Sequence, residues 1–403
     1  MNLSKIENLI LKIMAYCVVP LLPRDLAKIL EQQFHSADVV SNYNSLRERG
    51  ALVIKGNNAV VRPDMVLSFL AEALKEKDFI KIIPELTRYE KDRNMTFSSY
   101  RLLRDLFIDH YHHNITHFDF RKLGEVQYRV IDYYEYFEAV VGDDEFEWLF
   151  IALGERALYS MLRMKLLDIH ADLLPVDHIT RFDQKLREIP GLVVDGYSSH
   201  MIAINDHMLN GQFEQMEPHI KKFPDDFQKT IMPAGIYDLY KGDAEKAFRR
   251  LHQTMTSKKK TEMFINYEIF YNIYYILSLL GMDARLFSPE AHKMLDKKGT
   301  NFNYSAIVAS AMMYHALGLK KEADEAMSQA EYFITSISSL DLIFMYIAAC
   351  FTEKDLISRH LAAGEKLLNE ATVNGYKLLA LELSFALSKI YKNEEFERCY
   401  KAL

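Results

Sequence analysis

Residues 314–323 have the sequence YHALGLKKEA, and this stretch indicates two helices joined by a tight turn. Gly318 follows a helical run and can adopt the left-handed conformation that often ends a helix. After it, alanines recur at three- and four-residue steps up to Ala330, where small side chains let two helices cross closely. The pattern predicts a helical hairpin over residues 302–330.

A glycine that follows a leucine-bearing helix end recurs along the second half of the chain. The glycines are 31, 39 and 37 residues apart, and they are Gly211, Gly242, Gly281 and Gly318. Repeats built from two helices have a period of about 34 residues or slightly more. Two more helix pairs are predicted, over residues 338–352 with 355–373 and 376–391 with 394–403.

This pattern resembles the tetratricopeptide repeat, which has a glycine at the end of its first helix and alanines in its second. The repeats are irregular, because proline does not recur at the repeat ends and the only tryptophan, Trp148, lies outside the clearest units. The resemblance implies a tetratricopeptide-like α-solenoid over residues 196–403, in which each hairpin packs only against its neighbours. It also implies a concave surface that exposes residues of successive first helices.

Residues 67–195 show helical periodicity without a clear repeat, and we interpret them as a helical bundle or early irregular repeats. Strand signals are almost absent after residue 63, so the predicted fold class is mainly α. The helices predicted around and within this stretch cover about 64–76, 97–111, 121–141, 144–170 and 176–188.

The first 66 residues have a different pattern, with three short helices followed by a β-hairpin. Ser4, Pro23 and Ser36 stand where they can cap or open helices. Residues 52–54 and 59–61 are rich in β-branched side chains and flank a Gly-Asn-Asn turn, which is a good hairpin signal.

Three helices followed by a hairpin resemble a winged helix-turn-helix module over residues 1–66. In such a module the third helix enters the major groove of DNA, and the hairpin, or wing, touches the backbone. The residues that the resemblance places at a DNA or partner contact are Asn42, Asn44, Ser45, Arg47, Arg49, Lys55 and Arg62.

The charge of this module leaves two roles open. Residues 1–66 hold eight Lys or Arg and six Asp or Glu, a net charge of +2, which is low for a surface that neutralises phosphates. Asp38 and Glu48 lie on the predicted third helix itself. Winged helices also serve as protein-contact modules, so protein contact is favoured over DNA binding as the role of this segment.

Three other clusters carry reactive or charged side chains, and a structural role is the simpler interpretation of each. The histidines between 110 and 117 lack the glutamate of a zinc-protease motif, and the aromatic runs 133–137 and 267–275 fit helix packing. A basic strip after Gly242 can bind an anionic partner, although a solvated face is the default. The strip comprises Lys246, Arg249, Arg250, Lys258, Lys259 and Lys260.

Composition excludes several classes of protein. Of the 403 residues, 49% are hydrophobic and 26% are charged, as in folded proteins, and the net charge of −7 excludes a globally basic nucleic-acid coat protein. Three scattered cysteines and the lack of an apolar run of about 18 residues favour a cytoplasmic location without a membrane span. Phosphate-binding, dinucleotide-binding, GxSxG and HExxH motifs are absent, so we expect no catalysis, cofactor or metal site.

Together these patterns predict a non-catalytic regulatory or scaffolding protein that binds another protein or peptide through its repeats. A winged helix followed by repeats resembles the non-catalytic parts of STAND-type regulators and of helicase-type ATPases. The alternative is a DNA-binding transcriptional regulator that uses residues 1–66. The last helix, predicted over 394–403, stops inside a good apolar pattern. This indicates either a longer parent chain or self-association that covers its apolar residues, or equally a natural terminus that frays or docks.

Overall fold

The computed structural model describes residues 2–17, 21–55, 58–92, 104, 134–192, 194, 197–228, 232–256, 266–279, 304–333, 337–354 and 360–402. This part of the chain is mainly helical, with one small two-stranded antiparallel sheet, so the predicted fold class is confirmed at that level. The chain divides into two compact units. Unit 1 comprises Met1–Lys165 and Thr180–Val194, and unit 2 comprises Leu166–Ile179 and Asp195–Leu403. The domain boundaries predicted at residues 66 and 195 stay a prediction.

Unit 1 begins with three helices and a hairpin. They are α1 (Lys5–Tyr16), α2 (Pro23–Ile29), α3 (Ser36–Glu48), β1 (Leu52–Lys55) and β2 (Asn58–Val61). Ser4 caps α1 as predicted, and the antiparallel strands pair Leu52 with Val61. At α3 the residue in the cap position is His35, one residue earlier than predicted, and its side chain makes no capping bond.

The rest of unit 1 is helical. It contains α4 (Pro63–Lys75), α5 (Lys77–Ile80), α6 (Ile83–Asp92), α7 (Tyr134–Val140), a 3-10 turn (Asp144–Phe146), α8 (Glu147–Ala171) and α9 (Asp177–Glu188). Both α8 and α9 also contribute residues to unit 2. The helix predicted over 144–170 is interrupted at Gly154, where φ is 70° and ψ is 167°, a conformation that glycine adopts readily. The helix predicted over 97–111, apart from Arg104, and the first part of the one predicted over 121–141 lie outside the described residues.

The aromatic run at 133–137 packs inside unit 1. Tyr134 and Phe137 are buried, and Tyr134 meets Phe182 edge to face with ring centroids 5.3 Å apart. Phe150 lies 6.0 Å from Phe137 and 6.3 Å from Phe182, which completes the cluster. The packing interpretation is therefore confirmed for the residues from Tyr134 onward.

In unit 2 two kinds of helix largely alternate, and we name them first helices and second helices. The first helices are α10 (Tyr197–Leu209), α13 (Met232–Tyr240), α15 (Asn266–Leu279), α16 (Tyr304–Ala316), α18 (Ser339–Phe351) and α20 (Lys377–Tyr391). The second helices are α11 (Phe213–Ile220), α14 (Ala244–Thr256), α17 (Lys320–Tyr332), α19 (Leu361–Val373) and α21 (Glu394–Ala402). A single turn, α12 (Asp225–Gln228), follows α11.

Three of the four predicted glycine turns join a first helix to its second helix. Gly211, Gly242 and Gly318 have φ of 67°, 84° and 79°. In the last turn, the backbone N–H of Leu319 donates to Tyr314 O at 2.9 Å, which satisfies a carbonyl at the helix end. Gly281 lies outside the described residues.

The first helices are buried on nearly all sides. Seven consecutive residues of α18, from Ile343 to Ala349, are buried, and so are seven of α13, from Met232 to Asp238. In the described first helices, exposed residues occur only near the helix ends. The concave surface of exposed first-helix residues expected from the sequence is therefore not seen in this part of the chain.

The contacts of the first helices explain this burial. Each first helix contacts the next one along the chain, and α20 also contacts α10, so the contacts form a closed cycle. The side-chain amide of Asn374 donates to Leu173 O at 2.7 Å, and Tyr376 Oη donates to Leu174 O at 2.7 Å, which joins the two ends of unit 2. These contacts go beyond the neighbour-only packing that the sequence pattern implies.

The second helices bury one face and expose the other. On α17 the buried residues are Ala323, Met327 and Ala330, spaced at four and three residues.

Among the described residues, none of the helices has the length and the apolar composition that a membrane span requires.

The crossing of α13 and α14 depends on Gly235. A Cβ atom at this position would lie 2.8 Å from both Cγ and Cδ2 of Leu251, and no real structure tolerates that distance without a shift. We expect Gly235→Ala to lower the free energy of unfolding by about 1–2 kcal/mol, because overpacking exceeds the gain in helix propensity. Urea unfolding followed by circular dichroism measures it.

The control is a double-mutant cycle with Leu251→Ala. Removing Leu251 frees the space that the new methyl group needs, so the double variant should lose less stability than the sum of the two single variants. Additive losses would show that the close crossing is not the cause.

Candidate functional site

The polar side chains of α3 divide into an inner and an outer set, and the inner set packs on α1. Ser45 Oγ donates to Glu7 Oε1 at 2.8 Å, and Arg49 Nη1 donates to both oxygens of Glu7 at 2.9 and 3.0 Å. Arg49 Nη2 also donates to the backbone O of Asn2 at 2.7 Å. The Glu7 side chain is 6% exposed, so α3 supplies the cation that this buried carboxylate needs.

Asn42 belongs to the same inner set. Ser4 Oγ donates to Asn42 Oδ1 at 2.8 Å, and Asn42 Nδ2 donates to the backbone O of Asp38 at 2.8 Å. The residues predicted to contact DNA or a partner at 42, 45 and 49 therefore hold α3 against the start of α1.

The outer set of α3 has a mixed charge. Asn44 and Arg47 are exposed, as the resemblance to a winged helix implies. The carboxylates of Asp38 and Glu48 are also exposed on α3, and Glu48 directly follows Arg47 in the chain. Such a surface does not concentrate positive charge toward a phosphate backbone.

The hairpin contributes apolar surface more than cations. Ile54 is 60% exposed near its tip, and Val53 and Val60 are half-buried on the other face. Arg62 forms a two-point ion pair with Asp64, at 2.5 and 2.8 Å, directly after β2. Lys55 is the last residue of β1, opposite Asn58. Of the predicted cations at 55 and 62, Arg62 is thus already paired.

We expect Glu7→Gln to destabilise the contact between α1 and α3 by about 1–3 kcal/mol at pH 7, because hydrogen bonds to an ionised group are lost. Burial raises the pKa of Glu7, but bonds from Ser4, Ser45 and Arg49 lower it more, so its pKa lies below the ordinary 4.5. A lowered pKa means that ionised Glu7 contributes stability above pH 4.5, and that this contribution is lost as pH falls through the folded value.

Thermal unfolding from pH 7 down to pH 3 measures this difference. The matched control is Glu48→Gln, an exposed carboxylate on α3, which should change stability by no more than about 0.5 kcal/mol. A Glu7→Gln effect that stays constant down to pH 3 would rule out the charge-dependent clamp.

The basic strip of unit 2 is organised around a buried carboxylate. Asp238 on α13 has a side chain that is 4% exposed, and it pairs with Lys246 Nζ at 2.8 Å and with Arg250 Nε at 3.0 Å. Arg249 points elsewhere and forms an exposed i,i+4 pair with Glu245 at 3.3 Å. Lys258, Lys259 and Lys260 lie outside the described residues. Two of the described cations of the predicted anionic-partner strip therefore join α13 to α14.

The strip offers a matched comparison of two neighbouring arginines. We expect Arg250→Met to lower the free energy of unfolding by about 2 kcal/mol, because it removes a cation from a buried carboxylate. Arg249→Met should cost less than about 0.5 kcal/mol, because its pair with Glu245 is solvated. Urea unfolding of both variants measures the difference, and equal losses would contradict the inner role of Arg250.

A cluster of aromatic and charged side chains joins α11 to α13. Tyr240 is 65% exposed and stacks on Phe213 with ring centroids 4.3 Å apart. Lys241 Nζ lies 4.4 Å from the centre of the Tyr237 ring and 3.1 Å from Glu217 Oε2. Hydrogen bonds to Glu217 lower its pKa to about 2. The bond from Lys221 has the largest effect, followed by those from Tyr237 and Lys241. Sequence reasoning did not identify this cluster, although tyrosines and cations near a glycine turn are a visible signal.

Two further groups of titratable residues lie inside unit 2. Glu382 on α20 is buried and accepts a hydrogen bond from Tyr275 Oη of α15. His200 and His219 have Nδ1 atoms 2.8 Å apart, and the ring of His207 lies 5.5 Å from that of His219. Among the described residues, no group of three His, Cys, Asp or Glu side chains is placed to hold a metal ion. The histidines between 110 and 117 are outside them.

Comparison with protein-family models, with curated proteins and with solved structures finds no match to this chain.

Proposed function

We propose that this chain is a non-catalytic regulatory or scaffolding protein that binds another protein. In this proposal residues 1–66 form a winged-helix module, supported by the order of three helices and a hairpin. The alternating first and second helices of unit 2 support an irregular tetratricopeptide-like repeat region. Such a combination resembles the non-catalytic parts of STAND-type regulators and of larger helicase-type ATPases.

The observation that carries the proposal is the inward orientation of Ser45 and Arg49. Both side chains bind the buried carboxylate of Glu7, so they stabilise the packing of α3 on α1. Groups engaged in this way do not contribute to a DNA-binding surface. What α3 leaves exposed is a face of mixed charge beside an apolar hairpin. Protein interfaces combine apolar and polar groups in this way, whereas DNA interfaces are strongly basic.

In unit 2 the partner surface is proposed on the second helices and at the helix ends. The first helices expose residues only near their ends, so their middle turns do not present a continuous surface to a peptide. Tyr240 and Tyr332 are 65% and 81% exposed, at the ends of α13 and α17. Exposed tyrosines are typical anchors of protein interfaces, because a rigid ring gives a large contact area at small entropic cost.

A test in the full-length chain combines partner capture with surface variants. The double variant Tyr240→Ser, Tyr332→Ser should retain at least tenfold less of a protein partner whose binding survives nuclease treatment. The helical content measured by circular dichroism should stay unchanged. Ile80→Ser, which alters an apolar side chain of unit 1 that is 48% exposed, is the matched control and should retain the partner. Full retention by the double tyrosine variant would disprove the proposed surface.

The second candidate function is a DNA-binding transcriptional regulator. It is favoured by the exposure of Asn44 and Arg47 on α3, the positions that face bases in a winged-helix complex. Titration of the full chain with duplex DNA across a salt series separates the two functions. Under the protein-binding proposal, no salt-dependent binding appears at low ionic strength. Binding that weakens with salt and with Arg47→Ala would favour the second candidate.

A further inference from the structure

Glu382 is an isolated acid in the interior of unit 2. It lies on α20, where its residue is 9% exposed, and its Oε2 atom has no hydrogen-bond partner among the described residues. Tyr275 Oη of α15 donates to Oε1. No described lysine, arginine or histidine forms an ion pair with Glu382, in contrast to the buried carboxylates of Glu7 and Asp238.

The tyrosine that donates to this carboxyl belongs to an aromatic cluster. From α15 come Tyr275 and, stacked on it with centroids 5.7 Å apart, Tyr271. From α18 comes Phe344, whose ring meets Tyr271 edge to face at 5.4 Å. Tyr274 lies 5.0 Å from Tyr275 and completes the group.

On three other helices that pack on α20, several charged side chains have partners other than Glu382. On α10, Asp206 accepts a hydrogen bond from Asn210 at 2.9 Å. On α19, Lys366 pairs with Glu370 at 3.5 Å, and on α21, Lys401 pairs with Glu397 at 2.8 Å. Nothing among these described groups compensates a negative charge at Glu382.

An ionised carboxylate in such a place is costly, because water is excluded and no cation replaces it. The carboxyl group is therefore neutral when α20 is packed, and it can ionise freely only when α20 separates and water enters. Burial raises the pKa of Glu382 more than the bond from Tyr275 lowers it, and the net result is a pKa of about 8.

We propose that Glu382 is a proton-binding site that couples the packing of α20 against α15 and α10 to pH. The packed arrangement holds one proton on this carboxyl, and the opened arrangement releases it to solvent. The inference is independent of the proposed partner binding. It concerns α20, whose contact with α10 closes the cycle of first helices.

The sign of the effect follows from the direction of the shift. A folded pKa raised above the ordinary 4.5 stabilises the packed state fully below pH 4.5, and that contribution is lost as pH rises toward about 8. Within this window Glu382 alone should raise the opening equilibrium of α20 about tenfold per pH unit.

The experiment is hydrogen exchange of the full-length chain between pH 5 and 9, corrected for intrinsic exchange and read on peptides of α20. Relative to wild type, Glu382→Gln should remove the tenfold dependence per pH unit and protect α20 better at pH 8. Glu395→Gln, a conservative change of an exposed residue on α21, is the control and should keep the wild-type dependence. Equal pH dependence in wild type and Glu382→Gln would overturn the proposal.

Two measurements keep the test decisive even if Glu382→Gln folds poorly. In wild-type protein at pH 7, infrared spectroscopy should show the C=O band of a protonated carboxyl that titrates near pH 8. In Tyr275→Phe the same band should titrate at higher pH, because the hydrogen bond that favours the ionised form is gone. A spectrum without a protonated carboxyl at pH 7 would refute the proposal.

Discussion

Burial of the first helices on nearly all sides is the constraint on which unit 2 depends. A helix surrounded by other helices cannot leave a charge unpaired, so every carboxylate that its sequence carries must be neutralised where it stands. The charge of Asp238 on α13 is neutralised by two cations from α14. Glu382 on α20 has only a tyrosine hydroxyl, and neutrality must then come from a proton.

The same constraint organises the start of the chain. Two charged side chains of α1, Glu7 and Lys12, are almost fully buried. The first receives Arg49 from α3, and the second lies 2.6 Å from Glu76, just after α4. A cation that looks available in the sequence can thus be required for packing, and an exposed carboxylate can be the partner of a buried lysine.

Much of the fold is local, and the sequence predicts that part well. The capping Ser4, three of the glycine turns and the strand pair 52–55 with 58–61 are encoded by a few neighbouring residues, and these lie where they are expected. The inward turn of Ser45 depends on which helix covers α3, and the contact of α10 with α20 joins segments far apart in the chain. The sequence also contains a signal for the buried acid, because Glu382 is the only charged residue in the apolar run LLALELSFAL.

The passage of α8 and α9 through both units limits how the gene can be dissected. Residues 166–179 belong to unit 2, although 180–194 return to unit 1, so no single cut separates the two. A fragment that starts at 196 lacks the carbonyl groups of Leu173 and Leu174, which accept from Asn374 and Tyr376. The first half of the gene therefore encodes part of unit 2, and recombination at the apparent midpoint would remove that part from unit 2.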